Sequence, residues 1–562
     1  MAYLIYVLRL LARWMGNALR LLRKAPEYVV FTLEEPHSET VPPRPPFPRR
    51  LLTPSKRCLR DLTRELRHVA HDRRVKGVVL KLCLTPGPLA QTQSLRDLIV
   101  ELREVGKRVV VWSSAYDLHR CLLASAADEV LLAPGGIVSL LGIAQSYVFL
   151  ADALERVGLK ADYVQISPYK TAPDILTRSE MSEEAREMAD WLADDLLAQV
   201  VRTIADGRGV TDEEVRALID HGLLVEGEAK GSIAIDGVVD EEHLPERLSP
   251  GRRPARLLSY AQAKRRLLRP PLRRPGKMVA LLRIAGDIID GRSAVPPVRP
   301  PIPIPFLLRE RAGDLTVVQQ ARALVRNRRV GAVVVHVESG GGSMSASEAI
   351  SAALREVAKK KPIVVSMGNV AASGGYHVAT PGSFLFAQPG TITGSIGVLA
   401  GKLVDAGLYE KLLFHREVIT RGKHADALTS SRAFSDEERD QLVGLVHEAY
   451  DLFLNRVSES RHLTKEAVDG VARGRVWTGR QALERGLIDE LGGLDRALAK
   501  AREVGGLPRS ARIFDVPTPK KDAAPVGGQA AGLAAYVSDG LRALRSARAQ
   551  YICALMPWEE DR

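Results

Sequence analysis

The chain has 562 residues, of which 46% are hydrophobic and 26% are charged. These fractions are typical of soluble globular proteins and exclude collagen-like, disordered and polytopic membrane classes, while the length allows about two to four domains. The four cysteines include no CxxC pair, which argues against a disulfide scaffold and against a cysteine-rich zinc module.

The first 24 residues predict a basic amphipathic helix. Only eight uncharged residues precede Arg9, far fewer than a membrane-spanning helix needs, and a secretory signal would place its cations before its apolar stretch. Five polar residues recur at spacings of three and four and share one helical face: Arg9, Arg13, Asn17, Arg20 and Lys24. The pattern fits a helix lying on an anionic membrane surface. Docking on the chain's own domain or on a partner subunit is the alternative.

The net charge of +13 is concentrated in two stretches that contain no acidic residue. Residues 1–24 carry five cations and residues 251–277 carry ten, so the rest of the chain is close to neutral. A protein that binds nucleic acid through its folded body would carry a basic patch there. We therefore expect no nucleic acid among the partners.

Two halves of the chain repeat each other with a period near 254 residues. Three pairs of segments correspond: 72–82 with 327–337, 102–111 with 354–365, and 129–143 with 383–398. Each half alternates short β-branched runs with amphipathic helical segments, which predicts two tandem α/β domains.

The repeat divides the chain into five predicted parts. The stretch 251–277 is rich in proline and arginine and contains no acid, which is typical of a linker. In chain order, the predicted parts are the amphipathic helix (1–25), a first α/β domain (26–250), the linker (251–277), a second α/β domain (278–515) and a tail with one helix (516–562).

The segment 366–380 contains the first candidate for chemistry, Ser373. This serine follows a strand-like run at 362–365 and precedes Gly374 and Gly375, as at a tight strand-to-helix turn. Small flanking residues would let a substrate carbonyl approach the hydroxyl, as at a nucleophile elbow, although the G-x-S-x-G pattern is absent. Simple packing at the start of a helix is the alternative.

A glycine turn at 340–342 follows a strand-like run in the second half. Glycines between a strand and a helix leave backbone N–H groups free, and two such donors stabilise an oxyanion by a few kcal/mol. A phosphate-binding loop is the competing interpretation, but no GK[ST] sequence follows.

The histidines suggest no catalytic triad. His377 would lie in the helix that begins at Ser373, and His336 lies in the strand before the glycine turn, so we expect both to be structural.

Comparison of the halves provides a candidate base for Ser373. At the position of Ser373 the first half has His119, and at the position of Ala425 it has Lys170. One half thus supplies a hydroxyl and the other an amine, which predicts one composite site. Coincidence is the alternative, because lysines are common, and Lys423 is then the fallback base.

These segments together resemble the long, tandem-domain form of the bacterial signal peptide peptidase A (protease IV) family, in the ClpP/crotonase-like superfamily. The resemblance covers roughly residues 60–510 and is carried by the glycine turn, ASGGY (372–376), TITGSIG (391–397), SPYKTA (167–172) and GRVWTGRQALERGLIDELGG (474–493). It implies two tandem ClpP/crotonase-like α/β domains between the amphipathic helix and a helical C-terminal tail.

The resemblance also implies a role for each candidate residue. Gly340 stands where the family usually has a proline, which puts the preorganisation of the turn in question. No metal or cofactor is implied. The implied roles are nucleophile for Ser373, general base for Lys170, orientation of the lysine for Ser395, and oxyanion donors for the backbone of Gly374 and of Gly341 or Gly342.

A lysine can act as a base at neutral pH only if its pKa falls from about 10.4 to roughly 7–8, which costs about 4 kcal/mol. Burial among apolar groups has that effect, because it disfavours the charged form. No acid lies near Lys170 before Asp174. We therefore expect neutral Lys170 to accept the proton of Ser373 as an acyl-enzyme forms.

The expected function is a serine endopeptidase with a Ser–Lys dyad that hydrolyses apolar peptides. The resemblance implies signal peptides as substrates, association with the bacterial inner membrane through residues 1–24, and a homo-oligomer such as a tetramer. Two alternatives remain at this stage. A crotonase-type acyl-thioester enzyme would need acidic residues and a coenzyme A site, and an inactive membrane-associated scaffold would need no chemistry.

Overall fold

The structure, a computed structural model, describes residues 2–41, 57–249, 251, 253–272, 276–295, 309–517 and 553–554. The chain forms two compact units. The first unit comprises Met1–Ala144 and Asp194–Gly276, and the second comprises Gln145–Ala193 and Lys277–Arg562.

Helices and strands alternate along both halves of the chain. The strands are β1 (Tyr28–Leu33), β2 (Gly77–Leu82), β3 (Arg108–Asp117), β4 (Glu129–Ser139), β5 (Lys160–Gln165), β6 (Leu223–Val225), β7 (Gly237–Val238), β8 (Leu257–Ser259), β9 (Met278–Ala285), β10 (Asp287–Ile289), β11 (Arg311–Gly313), β12 (Val330–Ser339), β13 (Gly342–Ser343), β14 (Ile363–Ala372), β15 (Phe384–Ala387), β16 (Ile392–Gly394), β17 (Leu399–Val404), β18 (Val476–Thr478), β19 (Glu490–Leu491), β20 (Ile513–Asp515) and β21 (Cys553–Ala554).

The α-helices vary from one turn to 26 residues. They are α1 (Ala2–Leu21), α2 (Leu59–His71), α3 (Leu89–Glu104), α4 (Leu118–Ala124), α5 (Ala151–Arg156), α6 (Asp174–Thr177), α7 (Glu183–Arg208), α8 (Asp212–His221), α9 (Glu226–Ala229), α10 (Leu244–Arg247), α11 (Tyr260–Ala263), α12 (Asp314–Arg326), α13 (Met344–Ala358), α14 (Gly374–Ala379), α15 (Ala406–Lys411), α16 (Asp436–Arg461), α17 (Lys465–Val471), α18 (Gly479–Glu484) and α19 (Leu494–Val504).

The first unit is built on a sheet with the order β6-β4-β3-β2-β1-β8. Its central strands are parallel and carry continuous runs of valine that are fully buried, as in β2 and β3. A parallel sheet is covered by helices on both faces, which is why such runs do not alternate with polar residues. The predicted α/β character of this half is confirmed.

The main sheet of the second unit has the corresponding order, β18-β16-β14-β12-β9-β20. The β12 valines at 333–335 are fully buried between neighbours β9 and β14, with which β12 pairs in parallel. Corresponding strands lie at corresponding sequence positions, β2 with β12 and β3 with β14. The predicted tandem repeat is therefore visible as two sheets of the same strand order.

A second sheet in the same unit explains where residues 145–193 belong. Its order is β11-β10-β13-β21-β17-β5, and β5 pairs antiparallel with β17 along all six residues. The sequence analysis assigns residues 145–193 to a first domain at 26–250, whereas the structure groups them with the second unit. Sequence repetition shows which segments of the two halves are equivalent. Which compact unit a segment joins depends instead on strand pairing and on burial, here of Ile166 and Leu192 in the second unit.

The structure also revises the predicted linker at 251–277. Within this stretch β8 pairs in parallel with β1, and Ala263 and Leu267 are buried in the core of the first unit. His68 Nε2 donates to the Leu268 carbonyl at 3.1 Å, and His68 Nδ1 lies 3.0 Å from the Tyr260 hydroxyl. The described residues 253–272 therefore form an edge of the first unit. Burial of their leucines and alanines holds them there, while the arginines between them can remain in contact with water.

The amino-terminal segment forms α1, which is docked on the first unit through its polar face. Arg13 donates to the carbonyl of Pro270, and Asn17 exchanges two hydrogen bonds with the backbone of Arg269. The helices of the described residues include none with an apolar stretch of membrane-spanning length. The predicted helix in the tail 516–562 falls outside the described residues, apart from 516–517 and 553–554.

Candidate active site

Ser373 lies at the turn between β14 and α14. Its φ of 55° is in the left-handed region, which residues other than glycine rarely adopt and which often occurs at functional turns. The Ser373 N–H donates to the Gly394 carbonyl at 2.8 Å, and the Ser373 carbonyl accepts from the His377 N–H at 2.9 Å. The predicted strand-to-helix turn is present, and these two backbone bonds fix it.

Lys170 reaches Ser373 from the segment that follows β5. Its Nζ lies 2.7 Å from Ser373 Oγ, across 203 residues of sequence, and the side chain is only 1% exposed. Nζ also lies 2.9 Å from Ser395 Oγ and 3.0 Å from the Ser395 carbonyl oxygen. The structure thus brings together all three side chains that the sequence analysis selects.

Burial lowers the pKa of Lys170 to about 7, and no charged neighbour contributes to this shift. Three oxygens surround Nζ at hydrogen-bond distance: Ser373 Oγ, Ser395 Oγ and the Ser395 carbonyl oxygen. The Ser395 carbonyl can only accept, so the lysine donates to it, whereas the Ser373 hydroxyl can accept from an ammonium or donate to a neutral amine. Burial favours the neutral amine at this position.

The Ser395 segment is bonded to both sides of the site. Ser395 has a φ of 49°, and its N–H donates to the Arg475 carbonyl at 2.7 Å. The preceding residue, Gly394, accepts the hydrogen bond from the Ser373 N–H. The two oxygens that hold the lysine are consequently fixed relative to the nucleophile turn.

The glycine turn lies against the start of α14. A Cβ added at Gly374 would be 3.2 Å from Gly342 N and 3.3 Å from Gly341 Cα. The Gly341 N–H donates to Ser339 Oγ and its carbonyl accepts from the Ile288 N–H. The Gly341 N–H is therefore engaged within the turn, whereas the backbone nitrogen of Gly342 lies beside Gly374.

The histidines and Lys423 lie away from the serine hydroxyl. His336 is buried, and this burial lowers its pKa to about 3. His377 bonds through Nε2 to Glu348 at 2.8 Å. Lys423, the fallback base, has a side chain that is 71% exposed and forms an ion pair with Glu437. Lys170 is thus the amine at the site.

An apolar cavity opens beside the three clustered side chains. Lys170 and Ser395 form part of its wall. The Asp174 carboxyl in this wall accepts hydrogen bonds from Ser182 and Gln165, and burial raises its pKa. Most of the wall is aliphatic or aromatic, including Phe149, Ile175, Met181, Met188, Leu192 and Val476.

The residues that hold the lysine segment in place are not among those predicted from sequence. The Tyr169 N–H donates to the Arg473 carbonyl at 3.1 Å, and the Gly474 N–H donates to the Ile396 carbonyl at 2.9 Å. The segment GRVWTG at 474–479 belongs to the motifs that carry the resemblance, but nothing in its composition indicates contact with Lys170.

Comparison with known proteins finds one family across both repeats. The sequence profile of peptidase family S49 matches residues 101–251 and 355–507, which together exceed half of the chain. The two matched regions begin 254 residues apart, in agreement with the predicted repeat.

Several relatives match most of the chain. It is 30% identical to "Serine protease SPPA, chloroplastic" of Arabidopsis thaliana over 79% of this chain and 65% of that protein. It is 31% identical to "Protease 4" of Salmonella typhi over 80% and 72% of the two chains, and 28% identical to "Protease 4" of Haemophilus influenzae over 80% and 74%. The chain thus spans just under two thirds of the plant relative.

Proposed function

Because the chain belongs to peptidase family S49, a family of serine peptidases, we propose that it is a serine endopeptidase whose catalytic dyad is Ser373 and Lys170. The observation that carries this proposal is the distance of 2.7 Å between Ser373 Oγ and Lys170 Nζ at a buried position. With a pKa of about 7, the amine is neutral in a large fraction of molecules at neutral pH.

Acylation begins when Ser373 Oγ attacks the carbonyl carbon of a peptide bond and its proton passes to Lys170 Nζ. The carbonyl oxygen becomes an oxyanion, which accepts hydrogen bonds from the N–H groups of Gly374 and Gly342. The Lys170 ammonium then gives its proton to the leaving amine nitrogen as the C–N bond breaks. Lys170 is neutral again in the ester intermediate and activates the water that hydrolyses it.

Ser395 acts in this scheme as a positioning residue. Its hydroxyl and carbonyl oxygens accept the two N–H groups of the neutral amine, at 2.9 and 3.0 Å. These bonds direct the remaining lone pair toward the Ser373 hydroxyl.

Strand pairing next to the dyad supports a peptide as the substrate. Residues Cys553–Ala554 of the chain itself pair antiparallel with Gly342–Ser343 and also with Leu399. The space between β13 and β17 thus accommodates an extended chain through backbone hydrogen bonds, as in recognition by strand addition. A substrate in that space would lie beside the oxyanion donors.

The cavity supports apolar peptides as the substrate class, such as signal peptides that remain after secretion. Its wall is mostly aliphatic or aromatic, and its carboxyl, Asp174, is hydrogen-bonded within the protein. A charged substrate side chain would lose its hydration there without gaining an ion pair.

Two peptides that differ at one residue test the proposed activity. We expect the purified protein to cleave a fluorogenic apolar peptide with a leucine at the cleaved bond at least about tenfold faster, in kcat/KM, than the same peptide with aspartate. Hydrolysis of an acyl-thioester without hydrolysis of either peptide would contradict the proposal and favour a crotonase-type reaction. Absence of all hydrolysis would favour an inactive scaffold.

We further propose that α1 attaches the protein to an anionic membrane surface. Its polar face is docked on residues 269–270, so the two acid-free basic stretches lie together in the first unit. Its apolar side chains point outward, with Trp14 71% exposed. An apolar face surrounded by cations is the arrangement that interfacial helices present to acidic headgroups.

Vesicle sedimentation tests this attachment. We expect the protein to bind phosphatidylglycerol-containing vesicles more tightly than phosphatidylcholine vesicles, and Trp14→Glu to weaken that binding by about tenfold. Leu141→Glu, at an exposed leucine of the same unit, serves as the control and should bind like the unaltered protein. Equal binding of all three proteins to the anionic vesicles would contradict the role of α1.

We also propose that the chain has two ClpP/crotonase-like units and that it forms a homo-oligomer. The shared strand order of the two sheets supports two ClpP/crotonase-like units. A run of exposed apolar residues in the second unit supports a homo-oligomer such as a tetramer, because isolated soluble chains seldom expose contiguous apolar surface. This run includes Leu412, Leu413, Phe414, Val418 and Ile419.

A further inference from the structure

The turn that precedes β18 lies directly against the backbone of Lys170. A Cβ added at Gly474 would be 2.3 Å from Lys170 N, 2.5 Å from its Cα and 2.6 Å from its Cβ. Non-bonded carbon atoms are in optimal contact at about 3.5–4.0 Å, so each of these distances is a clash. Gly474 also has a φ of +90°, which disfavours any residue with a side chain. Both the space and the backbone conformation therefore require glycine here.

The same turn connects the lysine segment with the Ser395 segment. The Arg473 carbonyl accepts from Tyr169, the residue before Lys170, and the Arg475 carbonyl accepts from Ser395. Between them, the Gly474 N–H donates to the residue after Ser395. Three consecutive residues of the turn thus hold the two sides of the site at a fixed separation.

Aromatic stacking keeps the lysine segment from moving sideways. The Arg475 guanidinium lies 4.0 Å from the centre of the Tyr169 ring. The Trp191 ring lies 5.7 Å from the Tyr169 ring and stacks on Trp477 at 4.9 Å. The residue before Lys170 is therefore held between Arg475 of the turn and Trp191 of α7, and Trp191 is itself stacked on β18.

A second glycine limits the position of the lysine side chain. A Cβ added at Gly397 would be 2.9 Å from Gly474 N and 3.3 Å from Lys170 Cδ. We call Gly474 and Gly397 the glycine cradle, since one contacts the backbone of Lys170 and the other its side chain.

We propose that Gly474 is a positioning residue for Lys170: by carrying no side chain, it sets how closely the lysine backbone approaches and hence how far Nζ reaches toward Ser373 Oγ. Gly397 contributes to the same positioning, because the absence of a Cβ there leaves room for Lys170 Cδ. This inference rests on the proposed function, because it assigns the cradle to the chemistry of Ser373 and Lys170.

The charged groups around Lys170 are engaged with other partners. Among the residues that the structure describes, none forms an ion pair with Lys170, so exclusion of water governs its ionisation. The neighbouring groups and their partners are Asp174 with Ser182 and Gln165, Glu187 with the Tyr169 hydroxyl, Arg473 with Asp469, Arg475 with the Tyr169 ring, and, behind the nucleophile helix, Glu348 with His377, Arg355 and Arg456.

Gly474→Ala tests the inference. We expect kcat/KM for the apolar peptide to fall by about 10²-fold, because the added Cβ displaces Lys170 by about 1 Å. We also expect the inflection of the pH–rate profile to move upward by about one pH unit, since displacement admits water to the amine. Gly470→Ala is the matched control: among the described residues, no atom beyond its chain neighbours and its own helix backbone lies within 4 Å of the added Cβ, so its rate and profile should match those of the unaltered protein.

Gly397→Ala keeps the inference testable if Gly474→Ala does not fold. It adds a milder contact with the lysine side chain and should shift the profile in the same direction, with a smaller loss of kcat/KM. If the folded glycine variants show an unshifted pH–rate profile, the inference is overturned, whatever their kcat/KM. A merely structural defect lowers the amount of active protein without moving the inflection of that profile. Failure of the unaltered protein to hydrolyse the peptide would instead refute the proposed function.

Discussion

Lys170→Met is expected to lower kcat/KM for an apolar peptide by at least about 10³-fold, because a general base contributes about 10²–10⁴-fold and the same amine also protonates the leaving group. Methionine is unbranched and apolar and fits the buried space. The variant loses the partner of the two Ser395 oxygens, at a cost of about 1–3 kcal/mol, but it no longer buries an amine. Thermal unfolding should therefore shift only modestly. Peptide hydrolysis and calorimetry measure the two effects.

Lys361→Met is the matched control for that variant. Lys361 is also a buried lysine of the second unit, and its Nζ donates to the carbonyls of Leu324 and Asn327. Because those bonds are remote from Ser373, we expect activity within about twofold of the unaltered protein. Substantial hydrolysis by purified Lys170→Met would show that another group takes the proton.

Ser373→Ala is expected to abolish hydrolysis, with a loss of about 10⁴-fold or more, because no acyl-enzyme can form without the hydroxyl. The Ser373 side chain caps no backbone N–H of α14, so the helix start loses no capping bond. Alanine should be accommodated at this buried position, and peptide binding should persist. Steady-state kinetics measure the expected loss of hydrolysis, and a binding measurement with the apolar peptide checks that binding persists.

Ser366→Ala provides the comparison for the nucleophile. Ser366 is fully buried on β14, the strand that precedes Ser373, and its hydroxyl faces His336 rather than the lysine. Its replacement should leave kcat/KM nearly unchanged. Hydrolysis by Ser373→Ala at more than about 1% of the normal rate would exclude this serine as the nucleophile.

The candidate residues could be predicted from sequence because each lies in a short local pattern. Ser373 follows a strand run and precedes two glycines, and the structure has a strand-to-helix turn there. Lys170 is predicted because one half of the repeat supplies a hydroxyl and the other an amine, and because of the resemblance. The absence of acids around it predicted a lowered pKa, and burial does lower the pKa of this lysine.

Domain membership could not be predicted from the repeat. The repeat assigns residues 145–193 to the first half, but the six-residue pairing of β5 with β17 places them in the second unit. The β5 sequence KADYVQ contains three polar residues and shows no continuous apolar run. Its partner strand is distant in sequence, so the local composition of β5 does not predict the pairing.

The role of Gly474 was hidden for a similar reason. A glycine in sequence indicates conformational freedom, but only coordinates reveal that a distant backbone lies against it. The orientation of α1 is another example. A helical repeat defines which residues share a face, yet the hydrogen bonds from Arg13 and Asn17 to residues 269–270 determine which face is covered.

The most direct test of a neutral Lys170 as the base is the pH dependence of the rate at which a fluorophosphonate labels Ser373. Because protonated Lys170 cannot accept the hydroxyl proton, we predict a rate that rises about tenfold per pH unit below an inflection near the pKa of about 7 and is constant above it. The adduct should map to Ser373 by mass spectrometry. A rate that is independent of pH across this range, or an inflection near about 10 as for an exposed lysine, would contradict the account.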